Sequence, residues 1–202
     1  MTRFWIGGSP CAGKSSVAAL LAGRHGLRHF ASDAGTSSRM ARMSGRGLPA
    51  HDELVALDTC TRLARPPHRQ VELTLAVYAE QFRFLLDELP DADRLLVEGA
   101  DLLPSLLAGF GVPLGRSVWI VPAPDFQRRH YAERPWVGPY LASCPDPAAA
   151  FDSWMRRDVL FARHVRATAE QLGGRVIEVD GGHTLEQTAS VVERHFGLSP
   201  VR

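Results

Sequence analysis

One lysine in a glycine-rich run near the start of the chain has the surroundings needed to bind phosphate. Residues 8–15 read Gly-Ser-Pro-Cys-Ala-Gly-Lys-Ser, which fits the pattern G-x-x-x-x-G-K-[ST]. Gly8 and Gly13 permit backbone angles that turn successive N–H groups towards an anion, and a following helix adds partial positive charge. Lys14 can reach the β- and γ-phosphates of a nucleotide, and Ser15 offers a hydroxyl to Mg²⁺. The alternative is a glycine-rich turn without a ligand.

We call residues 8–15 the glycine loop. The residues predicted to bind the nucleotide are Gly8, Ser9, Pro10, Cys11, Ala12, Gly13, Lys14, Ser15 and Ser16, together with Gly181 near the end of the chain. Lys14 is also a predicted catalytic residue, because its charge would act on the phosphate that is transferred.

The rest of the composition makes this lysine distinctive. The chain has 23 lysine and arginine residues, of which Lys14 is the single lysine, and it has no asparagine. An ammonium group acts as a mobile point charge on phosphates, which the planar guanidinium does less well. A guanine-reading Asn-Lys-x-Asp loop cannot be built from this sequence, so ATP is the expected nucleotide. A purine site formed by backbone atoms would leave GTP open.

Alternating apolar and amphipathic segments predict the elements that hold this loop. Strands are predicted at 3–6, 27–32, 94–98, 117–121 and 175–180. Helices are predicted at 36–44, 52–64, 70–89, 102–109, 125–133, 148–172 and 184–196. We expect an α/β fold, a three-layer P-loop NTPase with a five-stranded parallel sheet. Ligands bind such sheets at the carboxyl ends of the strands, so the residues that follow each strand are the candidates.

Acidic residues follow the second and third predicted strands. Asp33 could accept a proton from a hydroxyl group, or it could cap the helix that begins near Gly35. Glu98 could serve Mg²⁺ or a substrate, or it could make a structural hydrogen bond. Asp101 is a weaker candidate that could equally cap the next helix.

These segments resemble the nucleoside-monophosphate-kinase-like group of P-loop kinases. The group includes adenylate kinase, shikimate kinase, gluconate kinase and chloramphenicol phosphotransferase, and the glycine loop is most similar to the small-molecule kinases such as the last. The segments that carry the resemblance are the glycine loop, Asp33, Val97-Glu98-Gly99 and Val179-Asp180-Gly181-Gly182. The resemblance implies that Asp33 lies beside the acceptor hydroxyl.

The resemblance also implies a helical lid, which we place at 125–163 and call the lid segment. Arginines of such a lid close over the phosphates and exclude water only when substrate is bound. The arginines of this segment are Arg128, Arg129, Arg134, Arg156, Arg157 and Arg163. Arg128 and Arg157 are the preferred catalytic candidates, and the alternative is that these arginines lie on solvated helix faces.

The acceptor is expected to bind between the second and third strands, at 34–90, which we call the acceptor region. Arg39 and Arg42 follow Asp33 and could grip a phosphate on the acceptor, as arginines do in monophosphate kinases. They could equally be ordinary surface charge. Substrate binding is therefore predicted for Asp33, Arg39, Arg42 and Glu98, and metal binding for Ser15 and Glu98.

Three functions remain open at this point. The first is an ATP-dependent kinase that phosphorylates a hydroxyl of a small metabolite or antibiotic-like compound. The second is a nucleoside-monophosphate kinase. The third is a regulator that binds a nucleotide without transferring phosphate to a small molecule.

Length and composition set the remaining expectations. With 202 residues, 45% hydrophobic residues and a net charge of +1, we expect a single domain over 1–202 that binds neither nucleic acid nor a membrane. Cys11, Cys60 and Cys144 suggest no disulfide framework, and no signal peptide is evident, so the cytoplasm is the expected compartment. We expect residues 199–202 to be frayed, and the oligomeric state is not predicted.

Overall fold

Five parallel strands form a single sheet in the computed structural model of the protein, which describes residues 1–198. The predicted fraying of residues 199–202 lies outside the described residues. The strands are β1 (Thr2–Gly8), β2 (Arg28–Ala31), β3 (Arg94–Glu98), β4 (Ser117–Pro122) and β5 (Arg175–Val179). Their order across the sheet is β2-β3-β1-β4-β5, so the strand that leads into the glycine loop is central.

Helices cover both faces of the sheet, which confirms the predicted fold class. They are α1 (Lys14–His25), α2 (Thr36–Met43), α3 (Pro49–Val55), α4 (Thr59–Ala64), α5 (Pro67–Glu88), α6 (Pro104–Gly109), α7 (Pro124–Ala132), α8 (Val137–Leu141), α9 (Pro147–Gln171) and α10 (Leu185–Phe196). Helices α1 and α10 pack on one face, and α5, α6 and α9 pack on the other.

Alternate residues of the strands build two cores, one on each face of the sheet. Trp5 and Val97 belong to the core under α5, α6 and α9. Phe4, Ile6 and Leu96 belong to the core under α1 and α10. Strands buried on both faces read as continuous apolar runs, which is why the sequence pattern located β3 and β4 so closely.

The helix predicted over 52–64 is wrong, because two helices occupy this segment. Helix α3 ends at Val55, and α4 begins at Thr59 after the cap residue Asp58. The Asp58 carboxylate accepts hydrogen bonds from the backbone N–H groups of Cys60 and Thr61. An aspartate that caps a new helix in this way competes with continuation of the previous one.

A disulfide joins Cys60 to Cys144, which contradicts the expectation that the cysteines form none. The two residues are 84 positions apart, and their Cα atoms are 5.1 Å apart. Such a separation gives no signal in the sequence, because only the packing of α4 against the segment before α9 brings the two together. Cys11 is a free thiol. The cysteines therefore no longer support the prediction of a reducing compartment.

No helix within residues 1–198 combines the length and the apolar character needed to cross a bilayer.

Candidate active site

The glycine loop connects the carboxyl end of β1 to the first turn of α1. Gly8, Cys11 and Gly13 have positive φ angles of 131°, 61° and 73°. A Cβ atom at Gly8 would lie 1.9 Å from the carbonyl oxygen of Ile120, so only glycine fits there. Cys11 holds a left-handed angle that non-glycine residues adopt at a cost, and such strain concentrates at functional sites.

Lys14 folds into the glycine loop rather than into solvent. The residue is 6% exposed, and its ammonium donates a 2.8 Å hydrogen bond to the carbonyl oxygen of Ser9. Burial lowers the pKa of Lys14, and the nearby carboxylates of Asp33 and Glu98 oppose this shift. The hydroxyl of Ser9 is buried without a hydrogen-bond partner. The loop thus concentrates a cation and an unused hydroxyl in one place.

Glu98 lies at the carboxyl end of β3, between the glycine loop and the end of β2. It is in register with Ile6 on one neighbouring strand and with Ala31 on the other. The residue is 1% exposed, and its Oε2 atom has no hydrogen-bond partner. The ring Nε2 of His29 lies 3.8 Å from Oε1 and is also without a hydrogen bond. A buried carboxylate oxygen without a protein partner is left to pair with water or with a ligand.

Asp33 follows β2 in a short 3₁₀ turn, Ser32–Gly35, and it does not cap a helix. The cap residue of α2 is Gly35, and no side chain satisfies that helix end. Desolvation raises the pKa of Asp33, the ammonium of Lys14 lowers it, and the charge of Glu98 raises it further. The balance favours a carboxylate with increased proton affinity, which suits a general base.

Asp101 is held in a buried hydrogen-bond network and does not cap α6 either. It accepts hydrogen bonds from the hydroxyl of Ser32 at 2.5 Å, from Arg39 at 3.0 Å and from Gln81 at 2.9 Å. A Cβ atom at Gly99 would lie 1.8 Å from the Ser32 hydroxyl, so glycine is needed for this pair to meet. The network fixes the ends of β2 and β3 relative to each other.

The predicted acceptor ligands Arg39 and Arg42 are engaged by the protein itself. Arg39 is fully buried and donates hydrogen bonds to Asp101, to Glu88 and to the carbonyl oxygen of Ser32. Arg42 donates to Glu88 and to the carbonyl oxygen of Phe84, both at 3.2 Å. Arg39 therefore serves as a buried link between α2 and the ends of β2 and β3, and it offers no free guanidinium to an acceptor.

Arg128, one of the two preferred lid arginines, ties α7 to α9. Its guanidinium lies 2.5 Å from the carboxylate of Asp152 and 5.2 Å from the centre of the Phe151 ring. Both charged side chains of this pair are about half exposed, at 52% and 42%. These contacts of Arg128 are thus with α9.

Arg157, the other preferred arginine, lies beside a buried carboxylate that reaches the glycine loop. Its Nε atom is 2.5 Å from Asp158, a residue that is 1% exposed. Gln127 donates 3.4 Å hydrogen bonds both to Asp158 and to the carbonyl oxygen of Pro10. Desolvation raises the pKa of Asp158, and Arg157 and a hydrogen bond from Tyr131 oppose the rise. The long helix α9 is therefore linked to the glycine loop.

Arg134 is the lid arginine that sequence reasoning did not single out. Its guanidinium lies over the rings of Tyr131 and Trp136, at 5.1 Å and 5.8 Å. Burial raises the pKa of the Cys11 thiol, and the charges of Arg134 and Lys14 lower it. Arg134 is thus close enough to the glycine loop for its charge to act there. The neighbouring aromatic residues are the signal that could have identified it.

The remaining predicted nucleotide residues lie at the same edge of the sheet. Ser15 and Ser16 are exposed in the first turn of α1. Gly181 follows β5 with a φ of 97° and faces the ring of Phe126 on α7. Within residues 1–198, no group of three or more His, Cys, Asp or Glu side chains could hold a metal ion. A Mg²⁺ ion held by one or two protein groups and a nucleotide needs no such group.

Comparisons with known proteins support the fold and leave the activity open. No protein-family profile matches the chain, and no curated protein sequence matches it. The solved structure of TT1252 from Thermus thermophilus has a TM-score of 0.50 and 22% identity, covering 98% of this chain and 97% of that one. A provisionally assigned kinase from Chloroflexus aurantiacus has a TM-score of 0.43 and 15% identity, covering 96% and 97%. The likeness to TT1252 shows a shared fold.

Proposed function

We propose that the protein is an ATP-dependent phosphotransferase that moves the γ-phosphate to a hydroxyl group of a small molecule. The observation that carries this proposal is the burial of the Lys14 ammonium inside the glycine loop, where it interacts with the carboxylates of Asp33 and Glu98. A cation for the phosphates and a base for the acceptor are both needed at one edge of a parallel sheet.

The residues present fit a nucleotide and Mg²⁺. The positive φ angles of the glycine loop and the start of α1 favour backbone N–H groups that point at a phosphate. Lys14 would exchange its bond to the Ser9 carbonyl for the β- and γ-phosphates, and the unpartnered Ser9 hydroxyl could join it. Ser15 would hold Mg²⁺, which neutralises phosphate charge when it is bound. Glu98 would serve either the metal ion or the acceptor.

Asp33 would act as the base in the transfer step. The acceptor oxygen forms a bond to the γ-phosphorus, the bond from that phosphorus to the bridging oxygen of ADP breaks, and the hydroxyl proton goes to Asp33. A raised pKa makes this carboxylate a better proton acceptor than an aspartate of ordinary pKa. Arg134 and Arg157 would stabilise the charge on the phosphoryl group. The charge of Arg134 acts on Cys11 of the glycine loop, and Arg157 lies beside Asp158, which Gln127 links to that loop.

Two variants test this proposal separately. Asp33→Asn should lower turnover by about 10²–10⁴-fold and leave ATP affinity unchanged, because only the base is lost. Lys14→Ala should weaken ATP binding, measured by calorimetry, and abolish transfer. Asp87→Asn on the exposed side of α5 removes the same charge and is the matched control. Unchanged turnover in Asp33→Asn removes this residue from the mechanism, and unchanged ATP binding in Lys14→Ala contradicts the assignment of the loop.

A nucleotide-binding regulator is the competing function, and a direct measurement distinguishes it. Such a protein would bind ATP through Lys14 but release no ADP beyond background with any small-molecule acceptor. Full ATP affinity without transfer in a broad acceptor screen would therefore favour the regulator over the phosphotransferase.

A further inference from the structure

The Cys60–Cys144 disulfide ties the acceptor region to the lid segment. Cys60 lies in the first turn of α4, and Cys144 lies between α8 and α9. Two hydrogen bonds join the same parts of the chain. Arg62 donates to the hydroxyl of Tyr140, and the hydroxyl of Ser143 donates to Sγ of Cys60 at 3.6 Å. The disulfide is the covalent member of this set, so it limits how far α8 can move from α4.

A cavity of about 340 Å³ lies beside the disulfide and gives a small molecule access to it. Both cysteines line this cavity, together with residues of α4 and α9 that include Leu63, Ala149 and Ser153. Its volume lies in the range of small-molecule sites, so it fits a small thiol rather than a folded domain. Cys60 is partly exposed, whereas Cys144 is 7% exposed. Cys60 is therefore the more accessible of the two.

The disulfide also belongs to an apolar cluster that reaches the glycine loop. The cluster contains Leu63 of α4, Tyr131 of α7, Leu141 of α8 and Trp154 of α9, and we call it the lid cluster. Cys11 of the glycine loop packs against it and is only partly exposed. A change in the position of α8 would therefore alter the exposure of the Cys11 thiol.

We propose that the disulfide is a thiol-exchange site that controls the position of the lid segment, and that its reaction partner is a low-molecular-weight thiol held in the cavity. The thiolate sulfur of that molecule bonds to Sγ of Cys60, the bond between Cys60 and Cys144 breaks, and its electron pair leaves on Sγ of Cys144 as a thiolate. The proton of the small thiol goes to solvent when its thiolate forms. This step needs neither a nucleotide nor an acceptor, so it goes beyond the proposed phosphotransfer.

Opening the disulfide would free the end of α8 from α4. The hydrogen bond between Arg62 and Tyr140 remains, and both side chains are at least partly exposed. Such a bond restrains two helices far less than a covalent bond, because water can replace either partner. The lid segment can then move away from α4, and Cys11 loses part of its cover.

Trapping the mixed disulfide tests the exchange step. The folded, oxidised chain is exposed briefly to 2-mercaptoethanol without denaturant and quenched with excess iodoacetamide, and the modified cysteines are located by peptide mass spectrometry. We expect mercaptoethanol on Cys60 and a carbamidomethyl group on Cys144. Attachment mainly to Cys144, or no reaction of either cysteine until the chain is denatured, overturns the proposed site.

Variants of the cavity test whether the thiol is held there. Ala149→Leu places a larger side chain in the cavity and should slow the exchange at least about fivefold, because access limits the reaction. Ala148→Leu is the matched control, since Ala148 is equally exposed in the first turn of α9 and does not line the cavity. Equal rates in the two variants would show attack from open solvent and overturn the role of the cavity.

The reactivity of Cys11 tests the effect on the lid segment. Cys11 is the free thiol of the oxidised wild type and also of Cys60→Ser/Cys144→Ser, so its alkylation by iodoacetamide can be compared directly. We expect alkylation at least about threefold faster in the double variant, because the thiol becomes more accessible. Equal rates would show that the disulfide does not hold the lid segment over the glycine loop and overturn its control of the lid.

A variant destabilised elsewhere separates local opening from a general loss of stability. Arg39→Met disrupts the buried network of Asp101, which lies outside the lid cluster. Alkylation of Cys11 in Arg39→Met should proceed at the wild-type rate. A rate raised as much as in the double variant would assign the effect to unfolding of the whole chain and overturn the control of the lid as well.

Discussion

The two ends of the candidate site are built in opposite ways. At the glycine loop, Lys14 bonds only to the loop's own backbone, and the Ser9 hydroxyl has no partner. At the other end, Arg39 fills a buried network with Asp101 and Glu88. The first arrangement leaves polar groups ready for a ligand, whereas the second uses them up. A charged side chain at the edge of a sheet therefore indicates a binding site only if other protein groups do not already occupy its hydrogen bonds.

The difference also concerns how far apart the partners are in the sequence. Lys14 and Ser9 are five residues apart, so the hydrogen bond between them forms within the glycine loop. Arg39 and Asp101 are 62 residues apart and meet only after β2 and β3 have paired. Local backbone geometry therefore shapes the first end, and tertiary packing holds the second end together.

Replacing Arg39 should have the largest effect on stability. Arg39→Met leaves Asp101 as a buried carboxylate without its cation, whereas Glu88 keeps Arg42, and the loss should cost about 3–5 kcal/mol. Denaturant unfolding measures this loss, and Arg42→Met is the control, because its partly exposed pair is worth only about 0–1 kcal/mol. A loss below about 1 kcal/mol in Arg39→Met, with a raised acceptor KM, would return Arg39 to substrate binding.

Reduction of the Cys60–Cys144 disulfide should have the next largest effect. Closing a loop of this length stabilises the folded chain by at most about 4–5 kcal/mol, and we expect a loss of about 2–4 kcal/mol. Hydrogen exchange should rise around residues 141–146 and remain low at β1. The double variant Cys60→Ser/Cys144→Ser should be insensitive to reductant. Equal stability of the wild type with and without reductant would show that the bond contributes little.

The smallest expected effect is a shift in the pH dependence of transfer. The negative charge of Glu98 raises the pKa of Asp33, so Glu98→Gln should lower it. The base then stays ionised to lower pH, and the acid limb of kcat/KM moves down by less than about one pH unit. Asp87→Asn should leave that limb in place. An upward movement in Glu98→Gln would contradict the coupling of the two carboxylates.

The sequence was sufficient for the sheet and for the place of the glycine loop between β1 and α1. Buried parallel strands read as apolar runs, and the lone lysine lies in a loop whose residues are contiguous. It was insufficient where distant residues decide the outcome. From the sequence alone, Arg39 could be a surface arginine or a phosphate-binding arginine, because its partner Asp101 is distant in the chain. The sequence also favours Arg128 and Arg134 equally as lid arginines, because only the packing of α7 and α8 distinguishes them. Asp58 is a favoured cap residue, and it is the local signal for the break between α3 and α4.

The disulfide closes a covalent ring that contains both neighbours of the central strand. β3 and β4 lie between Cys60 and Cys144, and β1 pairs with each of them from outside that ring. A protease that cuts any single peptide bond between the two cysteines therefore cannot release a fragment from the oxidised chain. On an electrophoresis gel the nicked protein would migrate as one species until a thiol is added, and then as two.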